Sequence, residues 1–126
     1  MKIFLGLKNV LMDEMSGKSD SGIMPVHIYI QAIGGKWKPE ILWVLRKGPV
    51  RFGELMRRID AITQVTLTKN LRELEADGIV IRTVYPEIPP RVDYRLTEFG
   101  TSVFPVLDII SAWGRTFIRH KKEHRR

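Results

Sequence analysis

The chain contains no cysteine. Disulfide cross-links, thiolate metal sites and thiol-based redox sensing are therefore excluded, and the composition carries no sign of the redox compartment. It also lacks any apolar run approaching the ~20 residues that a membrane span needs. The opening segment "MKIFLGLKNVLMDEM" is apolar in character, but Lys8 and Asn9 soon interrupt it and no small-residue cleavage site comes after. A secretory signal is not expected there, and the simplest location is cytoplasmic. A phosphate-cradling loop is missing too, because "GGKWK" has neither the spacing nor the Ser/Thr of a P-loop. No Ser/His/Asp order or metal-binding cluster is visible, so the chain is not read as an enzyme and no cofactor or metal is expected. His120 and His124 stand at i, i+4, but in a Lys/Arg-rich tail with only Glu123 nearby; they read as solvated. His27 has no near carboxylate partner and reads as structural or solvent-facing.

What is present describes one domain. A length of 126 residues, 44% hydrophobic and 28% charged, suits a single globular unit with a real core. The net charge of +7 invites a nucleic-acid partner. However, the last eight residues, "RHKKEHRR", supply +4 and leave +3 for the other 118. Between Arg51 and Arg95 there are eight basic and seven acidic residues, so the arrangement of charge matters more than its total.

That arrangement is most informative in "TQVTLTKNLRELEADGIVIRT", Thr63 to Thr83. Leu67, Leu71 and Leu74 recur at i, i+4 and i+7 and stack on one helical face. The opposite face carries Val65, Thr68, Lys69 and Arg72, with no acid among them. Glu73, Glu75 and Asp77 are confined to the flanks and the last turn. Asp77 has the wrong sign for a helix C-terminus, so the macrodipole does not explain this segregation. A helix whose leading turns exclude negative charge is suited to meeting an anion.

The surrounding segments supply a context. Residues 1–22 read as an N-terminal amphipathic segment and linker, with Phe4, Leu7 and Leu11 on its apolar side and "SGKSDSG" as the flexible part. A short helix is expected over 26–35, ending at the glycine pair. Another starts near Pro39 and Glu40 and stops at Gly48-Pro49. Phe52, Leu55, Met56 and Ile59 mark a helix of about two turns. Residues 60–62 form a tight connection and Thr63 caps the next helix. After Gly78 the period changes to two, through Ile79, Ile81 and Thr83 and again through Val92, Tyr94 and Leu96. Pro86, Pro89 and Pro90 stiffen the turn between these runs, with Arg91 beyond them. Two short helices and then a hairpin make the order of a winged helix-turn-helix. A last helix over 98–120, capped by Thr97, places Val103, Leu107, Ile110, Trp113 and Phe117 on one long stripe, which Pro105 should bend or split. The stripe exceeds what so small a domain needs for its own core and suggests a partner helix. Trp37, Trp43 and Trp113 read as core or dimer packing.

With these residues in view, the chain resembles the HxlR-type winged helix-turn-helix transcriptional regulators, relatives of the MarR group. The matching stretches are "IGGKWKPEIL", "GPVRFGELMRRI", "ITQVTLTKNLRELEADGIVIR", "VYPEIPPRVDYRLTEFG" and "PVLDIISAWG", in order from 33 to 114. The resemblance implies a mostly helical α+β domain over 23–118 with N- and C-terminal dimerisation helices, and then a basic tail at 119–126. It implies a homodimer binding a two-fold operator on double-stranded DNA. Many members that sense electrophiles or oxidants carry Cys just before "PV" near the N-terminus; here that position is Met24. Thiol sensing by that route is closed, which leaves room for a small-molecule effector of unknown identity.

The expected roles derive from base and phosphate chemistry. Gln64 is suited to adenine, Val65 to a thymine methyl, and Thr68 to bases or phosphate. Lys69 and Arg72 suit guanine or phosphate, and Arg51 and the helix end at Thr63 suit phosphate. Arg91 is expected on the adjacent backbone or minor groove, as part of a wing spanning 79–96. Phe4, Leu7, Leu11, Val103, Leu107, Ile110, Trp113 and Phe117 are the dimerisation candidates. The alternative is a winged-helix protein-interaction module that does not bind DNA.

Overall fold

The computed structural model describes residues 24–125; the expected amphipathic helix bearing Phe4, Leu7 and Leu11 lies outside them. The chain forms α1 (Pro25–Ile33), α2 (Lys38–Leu45), β1 (Val50–Arg51), α3 (Phe52–Arg58), α4 (Gln64–Ala76), β2 (Val80–Tyr85), β3 (Arg91–Leu96), α5 (Glu98–Thr101) and α6 (Phe104–Glu123). The strands make one antiparallel sheet in the order β1-β3-β2. In the β2–β3 hairpin Val80 pairs with Leu96 and Tyr85 with Arg91, leaving residues 86–90 as its tip.

Local chemistry sets the helix boundaries. Thr63 caps α4 by accepting a hydrogen bond from the Thr66 amide. At the other end Gly78 adopts φ +72°, open to glycine without Cβ strain. Its amide bonds the Glu75 carbonyl, and the Ile79 amide reaches back to Leu74. These two bonds form a Schellman stop, with Ile79 and Leu74 both buried beneath it. The turn between α3 and α4 is tight enough that Ala61 takes φ +64°, a left-handed conformation that costs an L residue about 1–2 kcal/mol.

The core is one cluster. Ile41, Leu42 and Leu45 from α2, Leu55 from α3 and Leu67, Leu71 and Leu74 from α4 are all at most 1% exposed. Val80 and Tyr94 close it from the sheet. Thr97 then ties the end of α4 to the start of α5: its hydroxyl donates to the Gly78 carbonyl at 2.6 Å and accepts from the Gly100 amide at 2.8 Å. Gly100 sits so close to β2 that a Cβ there would lie 2.2 Å from the Ile79 carbonyl oxygen, a backbone atom.

The C-terminal segment settles one expectation and departs from another. The segment 98–120 is two helices, divided at 102–103 with Pro105 in the first turn of α6, as a residue lacking an amide donor prefers. The α6 helix runs on to Glu123, so a boundary at 119 cuts through its last turn. His120, Lys121 and Lys122 lie in that turn, where cations favour the negative end of the helix. Trp37 packs against the core, the first of the two roles expected of the tryptophans, while Trp43 and Trp113 are 51% and 65% exposed on this single chain.

Leu71→Ala empties a core position beneath α4 and is expected to cost about 2–5 kcal/mol. Chemical denaturation checks this, and a loss below ~1 kcal/mol would contradict the core assignment.

Candidate nucleic-acid interface

The α3 and α4 helices form a helix-turn-helix, with α4 as its outer member. One face of α4 is set by the three buried leucines, and the opposite face is fixed as a consequence. Val65 projects with 79% of its surface exposed. Gln64, Lys69 and Arg72 are not part of the core, and Thr68 is beside them on the outer side. The four residues expected opposite the leucines thus lie together on the outside. The Thr63 hydroxyl is occupied locally, since it also donates to the Thr66 hydroxyl at 2.9 Å. What the helix start offers outward is the amides of Gln64 and Val65, ahead of the first intrahelical bond from Leu67 to the Thr63 carbonyl.

An ion pair between a buried lysine and a half-exposed glutamate holds α4 in this orientation. Lys38, 6% exposed, places its Nζ 2.7 Å from Glu73 Oε2 and donates to the Gln31 carbonyl at 3.4 Å. One ammonium therefore ties α1, α2 and α4 together. The hydrogen bond and charge of Lys38, assisted by Lys69, hold the Glu73 carboxyl below its usual range. Its contribution to stability is present above the unfolded carboxylate pKa and is lost as pH falls through the folded value. This link also explains one acid that α4 keeps on its flank.

Between α4 and the wing lies a cleft of about 750 Å³, bounded by Arg51 and Phe52, by Thr68, Arg72 and Glu75, by Arg82, and by the wing residues 87–92. The cations around it divide into two groups. Arg51, Arg72 and Arg82 are exposed and make no ion pair among the described residues. Others are engaged nearby. Glu54 accepts from Arg57 and, at 2.8 Å, from Arg58. Those hydrogen bonds, Arg57's first, lower the Glu54 pKa to about 2. Arg91 lies 3.6 Å from both Glu87 and Asp93, with its guanidinium 3.9 Å from the Tyr85 ring centroid. Its Nε is buried. Arg91 is thus folded into the wing rather than extended from it. Arg82, not among the residues expected to meet DNA, lines the cleft instead; its outward place in the β2 alternation was the available signal.

The dimerisation candidates separate along α6. Val103 and Leu107 pack into the chain's own core, because the start of α6 lies against it. From Ile109 onward the apolar side chains are exposed: Ile110 by 44%, Trp113 by 65% and Phe117 by 45%, joined by Ile109 and Ile118. Trp113 and Phe117 stack with centroids 5.5 Å apart. On α1, Val26, Ile28 and Ile30 are also about half exposed. Among the described residues no group of three potential metal ligands occurs, and no helix is long and apolar enough to cross a membrane.

A helix-turn-helix closed by a two-stranded wing defines the winged-helix class of regulator folds. Within that class, residues 32–122 match the HxlR-like helix-turn-helix family, and the chain belongs to it. It is 48% identical over 103 residues to an uncharacterised HTH-type transcriptional regulator of Methanothermobacter thermautotrophicus, covering 82% of this chain and 79% of that one. Among solved structures it is similar to the HTH-type regulator YtcD, at 46% identity and TM-score 0.72, over 77% of this chain and 99% of that one. It is also similar to the reduced form of the redox regulator HypR, at 42% identity and TM-score 0.74, over 80% and 100% of the two chains. This chain has Met24 before Pro25 and no cysteine.

The Lys38–Glu73 tie has an asymmetric consequence. Glu73→Ala leaves an ammonium buried without a counter-charge and is expected to lower the thermal midpoint by several degrees, despite alanine's better helix propensity. Lys38→Met leaves a half-exposed carboxylate that water can solvate, and should stay within about 1 kcal/mol of wild type. Thermal unfolding of both variants checks the order; the reverse order would contradict the brace.

Proposed function

We propose that the chain is a sequence-specific DNA-binding transcriptional regulator that acts as a homodimer on a two-fold operator. The observation that carries this reading is the outer edge of α4, acid-free from Gln64 to Arg72, standing beside a cleft with three unpaired arginines. An α-helix fits the major groove, where Gln64 can pair with adenine, Val65 can meet a thymine methyl, and Thr68, Lys69 and Arg72 can read bases or hold phosphate. Arg51 and Arg82, on either side, suit the adjoining phosphates, together with the exposed amides at the start of α4. The wing flanks the next stretch of backbone or minor groove.

The nearly balanced charge of 51–95 argues for modest affinity per protomer. Pairing offsets this. The exposed stripe of α6 from Ile110 to Phe117, with the outer face of α1, is more apolar surface than a lone protomer keeps in water without a use for it. Two protomers joined through it would set their α4 helices on half-sites about one helical turn, ~34–36 Å, apart. The engineered loss of either element separates the two parts of the reading.

Arg72→Ala and Lys69→Ala are expected to weaken binding to duplex DNA selected by the wild-type protein, each lowering the salt slope by about one if it holds phosphate. Gel-shift titration over a range of salt checks this; wild-type binding by both variants would contradict the recognition role of α4. Trp113→Glu combined with Phe117→Glu is expected to yield a folded monomer by size exclusion with light scattering. A persistent dimer would place the interface elsewhere.

A further inference from the structure

The wing ends in an aliphatic side chain. Ile88 is fully exposed, and Pro86 on one side and Pro89 and Pro90 on the other restrict the backbone that presents it. The charges around it do not make a cationic tip. Arg91 is held against Tyr85, Glu87 and Asp93 with its Nε buried, and Glu87 repels phosphate. A tip of this chemistry is unsuited to gripping a backbone. Yet Glu87, Ile88, Pro89 and Pro90 line the same cleft as Thr68, Arg72 and Arg82, so a rod lying along α4 meets them. Apolar side chains such as Ile and Pro are what proteins set between base steps from the minor-groove side, where they partly unstack and kink the duplex.

We propose that Ile88 is an apolar wedge that the wing presses into the minor groove at the flank of each half-site, opening a deformable base step there. The proposal rests on the DNA-binding reading above. In it Arg91 is a positioning residue that holds the wing in shape, and the tip selects DNA by deformability rather than by hydrogen bonds. Pyrimidine–purine steps such as TA and CA/TG yield most easily, and the flanks should be enriched in them.

The test uses the full-length protein, double-stranded DNA selected by it from a randomised pool, and the variants Ile88→Ala and Ile88→Lys. Because the Ile88 side chain is fully exposed, both variants should fold. Ile88→Ala is expected to bind about tenfold more weakly with an unchanged salt slope, since no phosphate contact is removed. It should also bend the duplex less in a circular-permutation gel shift, and on reselection should lose the flanking step preference while keeping the central half-site letters. Ile88→Lys should steepen the salt slope by about one without restoring the bend. If Ile88→Ala matches wild type in affinity and bend while the wild-type protein binds DNA in a salt-dependent way, the wedge is wrong and the DNA reading stands. If the wild-type protein selects no duplex, both fall.

Discussion

A thirteen-residue helix on a small domain can bury only one stripe, and α4 buries its leucines. Leu67, Leu71 and Leu74 are essentially inaccessible, so the helix cannot rotate without opening the core. Its two ends are fixed by the Thr63 cap and the Gly78 stop, and its flank by the pairing of buried Lys38 with Glu73. With one face committed, the residues that remain outside are dictated by helical geometry alone. They are Gln64, Val65, Lys69 and Arg72, with Thr68 beside them and Glu75 and Ala76 in the last turn. The proposed function depends on this rotational constraint.

The second organising feature is the local pairing of charge. The region from Arg51 to Arg95 is nearly neutral in total, yet its acids are not spread evenly against its bases. Glu54 engages Arg57 and Arg58, Glu73 engages Lys38, and Glu87 and Asp93 flank Arg91. What these pairings leave exposed around the cleft is Arg51, Arg72 and Arg82. A weak overall charge can therefore coexist with a locally cationic edge. Polar and apolar contacts along that edge, rather than bulk electrostatics, would then decide which DNA is held.

Much of this was legible in the chain. The leucine spacing, Thr63 as cap, Gly78 as stop, the proline-rich hairpin turn and the division near Pro105 are local signals, and local signals survive in one dimension. The rest depended on residues distant in sequence. The two-residue strand β1 exists only because it pairs with Tyr94 and Asp93, and no period can appear in two residues. The Lys38–Glu73 pair joins separate helices, so neither partner announces the other. Arg91 reads as a free wing cation until Tyr85, across the hairpin, is seen beneath its guanidinium. Val103 and Leu107 continue the same apolar stripe as Ile110 and Trp113; only the packing of α6 shows that the first two belong to the core and the others to its exposed length.

The central claim is that the outer edge of α4 and the neighbouring wing together face one duplex. Backbone amide resonances of the full-length protein, monitored while selected double-stranded DNA is titrated in, locate that contact directly. The expected result is that salt-sensitive shifts concentrate in 63–72 and at Glu87, Ile88 and Arg91 of the wing, while the leucine-buried side of the helix and the exposed end of α6 change little. Shifts centred on α1 or α6, with 63–72 unmoved, would contradict it.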